Sequence, residues 1–131
     1  MTEAAQGSER LVIRAGGRSY AIAVGRVAEV VRALPTAELP RVPSYVLGAA
    51  QFRSEVIPVL DLAGRLGLIA EPFGPKGRLV IVNGPNGRAA FEVAEVVGLW
   101  RSFESHGDRI ERAGEVATLL DLDRAIDWRA G

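Results

Sequence analysis

Apolar and β-branched residues recur in short runs punctuated by glycine, proline and asparagine, a pattern that predicts strands rather than helices. Leu11 to Arg14 reads as a strand, and Gly16-Gly17 supplies the positive-φ residues of a tight hairpin turn before a return strand over Tyr20 to Val24. Val27, Val30 and Val31 form another β-branched group, too short and too stiff at χ1 for a good helix. Pro35, Pro40 and Pro43 then mark a structured loop, because each lacks the amide donor of regular structure. Tyr45 to Phe52 and Val56 to Leu60 predict two strands turning through Arg53-Ser54-Glu55. Asp61 is placed to cap a short helix ending at Leu66, with Gly67 as its stop. After a connector over Ile69 to Gly77, strands at Arg78 to Val82 and Ala89 to Val93 flank Asn83-Gly84-Pro85-Asn86-Gly87, a strong hairpin signal.

The two halves resemble each other. Ala21 to Arg32 aligns without a gap on Ala90 to Arg101, 69 positions later, and Val56 to Leu62 aligns on Val116 to Leu122, 60 positions later. Two matches in the same order predict a duplicated unit, each copy closing into a small barrel that leaves no long strand edge exposed. Between the matched blocks the first copy has residues 32 to 55 and the second only 101 to 115, nine fewer. The expected loss is the counterpart of Tyr45 to Phe52, so the second barrel should lack a strand or open at one side. The predicted fold is therefore all-β, one domain over 1–131 with barrel subdomains at 11–68 and 78–128, and short helices after Asp61 and near the C-terminus.

Composition narrows the function. The 131 residues carry 16 Lys+Arg against 16 Asp+Glu, so no net field draws the chain to nucleic acid or an acidic membrane. With no cysteine and one histidine, thiolate chemistry, sulfur-built zinc sites and His-rich metal sites are excluded, and the sequence suggests no metal and no cofactor. Met1 to Arg10 is polar and lacks the basic and apolar regions of a signal peptide. No apolar run approaches the roughly 20 residues that span a bilayer. Cytoplasmic residence is expected, and Met1 together with Arg129-Ala130-Gly131 reads as a complete small chain.

No catalytic constellation stands out, and none is assigned. His106, beside Ser105 and Asp108, has triad residue types, but triads draw on separated elements, and a solvated loop histidine is the simpler reading. Asp61, Asp121 and Asp123 offer carboxylates that helix capping explains. Gly74-Pro75-Lys76-Gly77 lacks the strand and helix that frame a phosphate loop. A small barrel enzyme or ligand-binding domain using Asp61, His106 and Asp121 is the alternative in another class. Glu29, set among valines, has Arg53 as its natural partner, since a guanidinium can hold a carboxylate and fix two strands together; two independent surface charges are the bland alternative.

The order of Tyr20-Ala21-Ile22, Val27-Ala28-Glu29-Val30, Leu39 to Gly48, Val56 to Leu62 and Leu119 to Asp123 resembles the CheW family from Leu11 to about Ile126. The resemblance implies two SH3-like barrels with a hydrophobic groove between them. It also implies a non-enzymatic adaptor that docks the cytoplasmic tip of a chemoreceptor and the regulatory domain of a CheA-like histidine kinase within membrane-associated receptor arrays, with other CheW-like adaptors as further partners.

Carried over by position, Val27 and Glu29 face the receptor, supported by Gly48 and Arg53. In the family's Asn-Leu-Arg-Gly turn this chain reads Gln51-Phe52-Arg53-Ser54, and Ser54 should enter positive φ less easily than glycine. Ala90, Glu92 and Ala94 fall on the segment expected to bear on the kinase. There Ala94 replaces an aspartate, and Glu92 stands where an apolar residue is usual. These departures coincide with the shortened second copy and predict reduced or altered kinase binding, against a conventional adaptor that bridges both partners.

Overall fold

The computed structural model describes residues 9–70 and 72–130, and most of the polar N-terminal stretch read above lies outside them. Two hairpins organise the fold. β1 (Arg10–Ala15) returns as β2 (Arg18–Ala23) through Gly16-Gly17, both at positive φ, and β7 (Arg78–Gly84) returns as β8 (Gly87–Val93) through Pro85-Asn86. The other strands are β3 (Val27–Val31), β4 (Thr36–Ala37), β5 (Val46–Phe52), β6 (Glu55–Asp61), β9 (Glu95–Trp100), β10 (Glu104–His106), β11 (Arg109–Arg112) and β12 (Glu115–Leu119). Helices α1 (Leu62–Arg65) and α2 (Leu122–Ile126) follow β6 and β12.

The strands form two six-stranded sheets, ordered β10-β11-β12-β2-β1-β9 and β4-β5-β6-β8-β7-β3. Each order maps onto the other by the repeat, so the duplication is visible in the pairing. The parallel pair Val59 with Ala90 in one sheet corresponds to Leu119 with Ala21 in the other, the offsets being the 60 and 69 read from the sequence.

The expected division into 11–68 and 78–128 is not how the strands pair. Hairpin β1–β2 joins the strands of the second copy, and hairpin β7–β8 joins those of the first, so the sheets interlock. The barrel built from Val27 to Val93 is called barrel B, and the barrel of the two chain ends barrel A. The expected missing strand is a second correction. β11 is the counterpart of β5, shortened to four residues from seven, and barrel A keeps six strands. Four residues suffice because Ile110 alone fills the barrel from β11, packed with Trp100, Val12, Ala21 and Ala117.

The interlocking explains why the hairpin strands read as nearly continuous apolar runs. Val12 and Ala21 face the interior of barrel A, while their neighbours Ile13 and Ile22 face a central core shared with Val80, Val82, Phe91 and Leu60. Ile81 and Ala90 face the interior of barrel B. Strands buried on both faces lose the alternation of half-exposed strands. Burying the side chains of Phe91, Ile13 and Ile22, each 1% exposed or less, contributes roughly 1.5–3 kcal/mol apiece before entropy is counted.

Pro58 is tolerated in β6 because the ladder to β8 begins one residue later, at Val59. Helix α1 follows Asp61 as expected, but that side chain makes no cap hydrogen bond; in α2, Asp121 caps by accepting from the Arg124 amide. Arg65 ties the copies together by donating Nε to the carbonyl of Ala125 and Nη2 to that of Arg124, at 3.0 and 2.7 Å.

Candidate functional site

β3 is the last strand of its sheet, and a bulge at Ala28 shifts its register on β7 from Val27–Val82 to Glu29–Ile81. Ala28 and Val31 pack against the interior of barrel B, while Glu29 and Val30 turn outward. At the far side of the same sheet, β5 turns into β6 through Arg53-Ser54. Curling the sheet brings these ends together, and Arg53 Nη2 donates to Glu29 Oε1 at 3.2 Å. The expected pair forms.

The positive φ of the turn falls on Arg53, at 57°, and not on Ser54. Ala113, 60 positions later at the β11–β12 turn, has φ 53°. The left-handed residue is thus a property of the repeated turn, and the glycine expected after Arg53 is not required for it.

Both side chains of the pair are about half exposed, 59% and 44%, so in solvent the bridge is worth about 0–1 kcal/mol and does not hold the barrel shut. What it does is orient. The Arg53 guanidinium lies 4.7 Å over the buried Phe52 ring, which Arg88 approaches at 5.8 Å while bridging Glu55 at 2.6 Å. Asn83 Oδ1 accepts from Arg88 Nε and steadies it. The result is a fixed array of alternating charges on an apolar base, with guanidinium donors left for a partner. Arg88 and Glu55 were not singled out from the sequence; only the folded register places them beside Phe52.

Val27 is half-buried below this face, packed toward the central core. Gly48 is buried at φ 148°, and a Cβ there would meet the Ala37 carbonyl oxygen at 2.2 Å. Its part is to let β4 lie close on β5.

Of the residues assigned to the kinase, Ala90 is fully buried in the barrel B core and unable to touch a partner, because the repeat places it at the inward parallel pair with Val59. Glu92 is half-buried directly opposite Asp61. Burial, and secondarily the Asp61 charge, pushes the Glu92 carboxyl above its ordinary range. Burial also raises Asp61, against the lowering pull of the Gly64 and Ala63 amides. Ala94 is half-buried and donates its amide to the Arg14 carbonyl. The alternative site of Asp61, His106 and Asp121 is not assembled. Asp61 lines a narrow cleft with Glu92 and Phe73, His106 stands exposed on barrel A, and Asp121 caps α2.

The sequence profile described as "CheW-like domain" matches residues 9–111. The chain belongs to this family. Protein PilI of Pseudomonas aeruginosa is 33% identical over 97 residues, covering 74% of this chain and 54% of PilI. The probable chemotaxis protein CheW of Rhizobium etli is 35% identical over 78 residues, covering 59% of this chain and 49% of that protein. The matched region thus spans about half the length of these relatives. The crystal structure of the scaffolding protein TtCheW from Thermoanaerobacter tengcongensis superposes with a TM-score of 0.81 over 91% of this chain and 92% of that one; at 19% identity this establishes the shared CheW-like fold. The two interlocked barrels are therefore the fold of the family, with β11 shorter than its counterpart β5 within this chain.

Proposed function

We propose that this CheW-like chain is a non-enzymatic chemosensory adaptor that docks the cytoplasmic tip of a chemoreceptor on the barrel B face bearing Val27, Glu29 and Arg53, held in shape by Gly48. One observation carries the reading. Glu29 and Arg53 form an oriented, half-exposed pair, whereas the equivalent positions in the second copy are Gly98 and Ala113, with no charge at all. Two copies of one fold that differ here are expected to meet different partners, and a guanidinium held by a carboxylate suits a polar helical tip. Among the described residues no helix is long and apolar enough to cross a membrane, which accords with recruitment to receptor arrays through a partner.

The contact with the regulatory domain of a CheA-like kinase is, in this proposal, reduced or altered. The four-residue β11 shortens one wall of barrel A, and Glu92 places an extra carboxylate beside Asp61 on the segment leading into β9. The second reading, a conventional adaptor bridging both partners, is favoured by the complete six strands of barrel A.

Titration calorimetry of the purified chain against a receptor tip and, separately, a kinase regulatory domain separates these readings. Receptor binding with weak or absent kinase binding is expected. Ordinary micromolar affinity for both selects the conventional adaptor, and no affinity for the receptor tip defeats the proposal.

A further inference from the structure

The two copies treat one equivalent place differently. In barrel A the chain itself covers the turn of hairpin β1–β2: a Cβ at Gly16 would lie 2.7 Å from that of Leu68, which follows α1. The repeat offsets of 69 and 60 carry Gly16 to Pro85 and Leu68 to Trp128. Leu68 and Trp128 both pack against the central core. Yet Pro85 and Trp128 line an open groove of about 650 Å³, together with Val56, Pro58 and Ile126. Val56 is 76% exposed there, an apolar side chain that the two-residue period of β6 turns outward while Ile57 fills the barrel. A groove of this size is large enough to bury a partner's side chains.

We propose that the helical tip docked on Glu29 and Arg53 extends into this groove, setting an apolar side chain against Val56 and Trp128 and a carboxylate against Arg88. The inference rests on the receptor reading above and extends its contact surface. Continuity selects the occupant, because Arg88 and Glu55 line the groove and also flank Phe52 beneath Arg53, so a partner seated on Arg53 is already at the groove's edge. Charge selects its chemistry. Arg88 donates Nε to Asn83 and Nη1 to Glu55, and among the described residues its Nη2 meets no acceptor. Along the helix side Asp123 is bridged by Arg26, and Asp127 and Arg129 are opposite in sign, so the donor left on Arg88 sets the demand for an acidic group. The second copy has Ser19 where the first has Arg88, and fills the place with its own Leu68. Barrel B leaves it to a partner.

Calorimetry of the full chain against the receptor tip tests this with three variants. Val56→Glu should weaken binding at least about ten-fold, because it would bury a carboxylate against apolar side chains. Val116→Glu, at the equivalent position of barrel A and 49% exposed, should keep wild-type affinity. Glu29→Arg tests the receptor reading itself. Tip binding should also blue-shift the tryptophan emission, and Trp128→Phe should abolish that shift, because Trp100 is already buried. Should Val56→Glu fail to fold by circular dichroism, the emission of the wild-type chain decides alone. Wild-type affinity in Val56→Glu beside a weakened Glu29→Arg overturns the groove and leaves the receptor reading standing. An unshifted emission at saturation, or a Val56→Glu loss confined to the kinase regulatory domain, also overturns the groove, and a wild-type chain that does not bind the tip overturns both.

Discussion

Arg53 and Glu29, 24 positions apart, meet at 3.2 Å across the seam where the first and last parts of one curled sheet come together. Because the pair is half exposed and adds little to stability, substitutions there should separate binding from folding.

Glu29→Arg should lower receptor-tip affinity by about ten-fold, corresponding to roughly 1.4 kcal/mol, while the melting temperature stays within a degree or two. Arg53→Glu in the same chain should recover part of the loss. A double-mutant cycle measured by calorimetry checks this, and strictly additive effects would show that the two residues act independently.

Gly48→Ala should be far more damaging to the fold. A Cβ at 2.2 Å from the Ala37 carbonyl forces β4 off β5, in a backbone conformation that alanine itself resists. A loss of about 2–3 kcal/mol is expected, as for overpacked cores. Urea unfolding measures it, and an unchanged midpoint would contradict the close approach.

Asp61 and Glu92 make stability depend on pH in a defined direction. Both carboxyls are raised in the folded protein, so over the window from the ordinary carboxylate range up to their folded values the native state holds more protons than the unfolded one. Stability therefore falls as pH rises through this window and is relieved as pH drops. Glu92→Gln should flatten that dependence and raise stability at neutral pH by about 0.5 kcal/mol, the scale of one cross-strand repulsion. Thermal melts between pH 4 and pH 7, set about the ordinary carboxyl value of 4.5, provide the test.

Arg65→Ala should loosen the C-terminal helix selectively. It removes two charge-assisted bonds to the carbonyls of Arg124 and Ala125, a loss of about 1–2 kcal/mol. Amide exchange should accelerate in α2 before it does in the hairpin strands. Uniform acceleration would mean that Arg65 supports the whole fold instead.

Most strands, both tight hairpins and the repeat offsets of 69 and 60 are legible in the sequence alone, because local chemistry writes them: β-branched runs, turn residues with positive φ, and a duplication that preserved spacing. The Glu29–Arg53 pair was also foreseeable, since few charges stand among those valines. Which hairpin joins which sheet was not, because strand pairing between distant segments leaves no local mark; Tyr20 to Ala23 looks the same whether it pairs with its own copy or with β12. The same limit hid the full burial of Ala90, the opposition of Glu92 to Asp61, and the meeting of Glu104 with Glu111 across β10 and β11. Sequence determined the elements and their kinship. Only the tertiary structure decided the interlocking, because that choice rests on burying both faces of each hairpin at once in a core shared by the two copies.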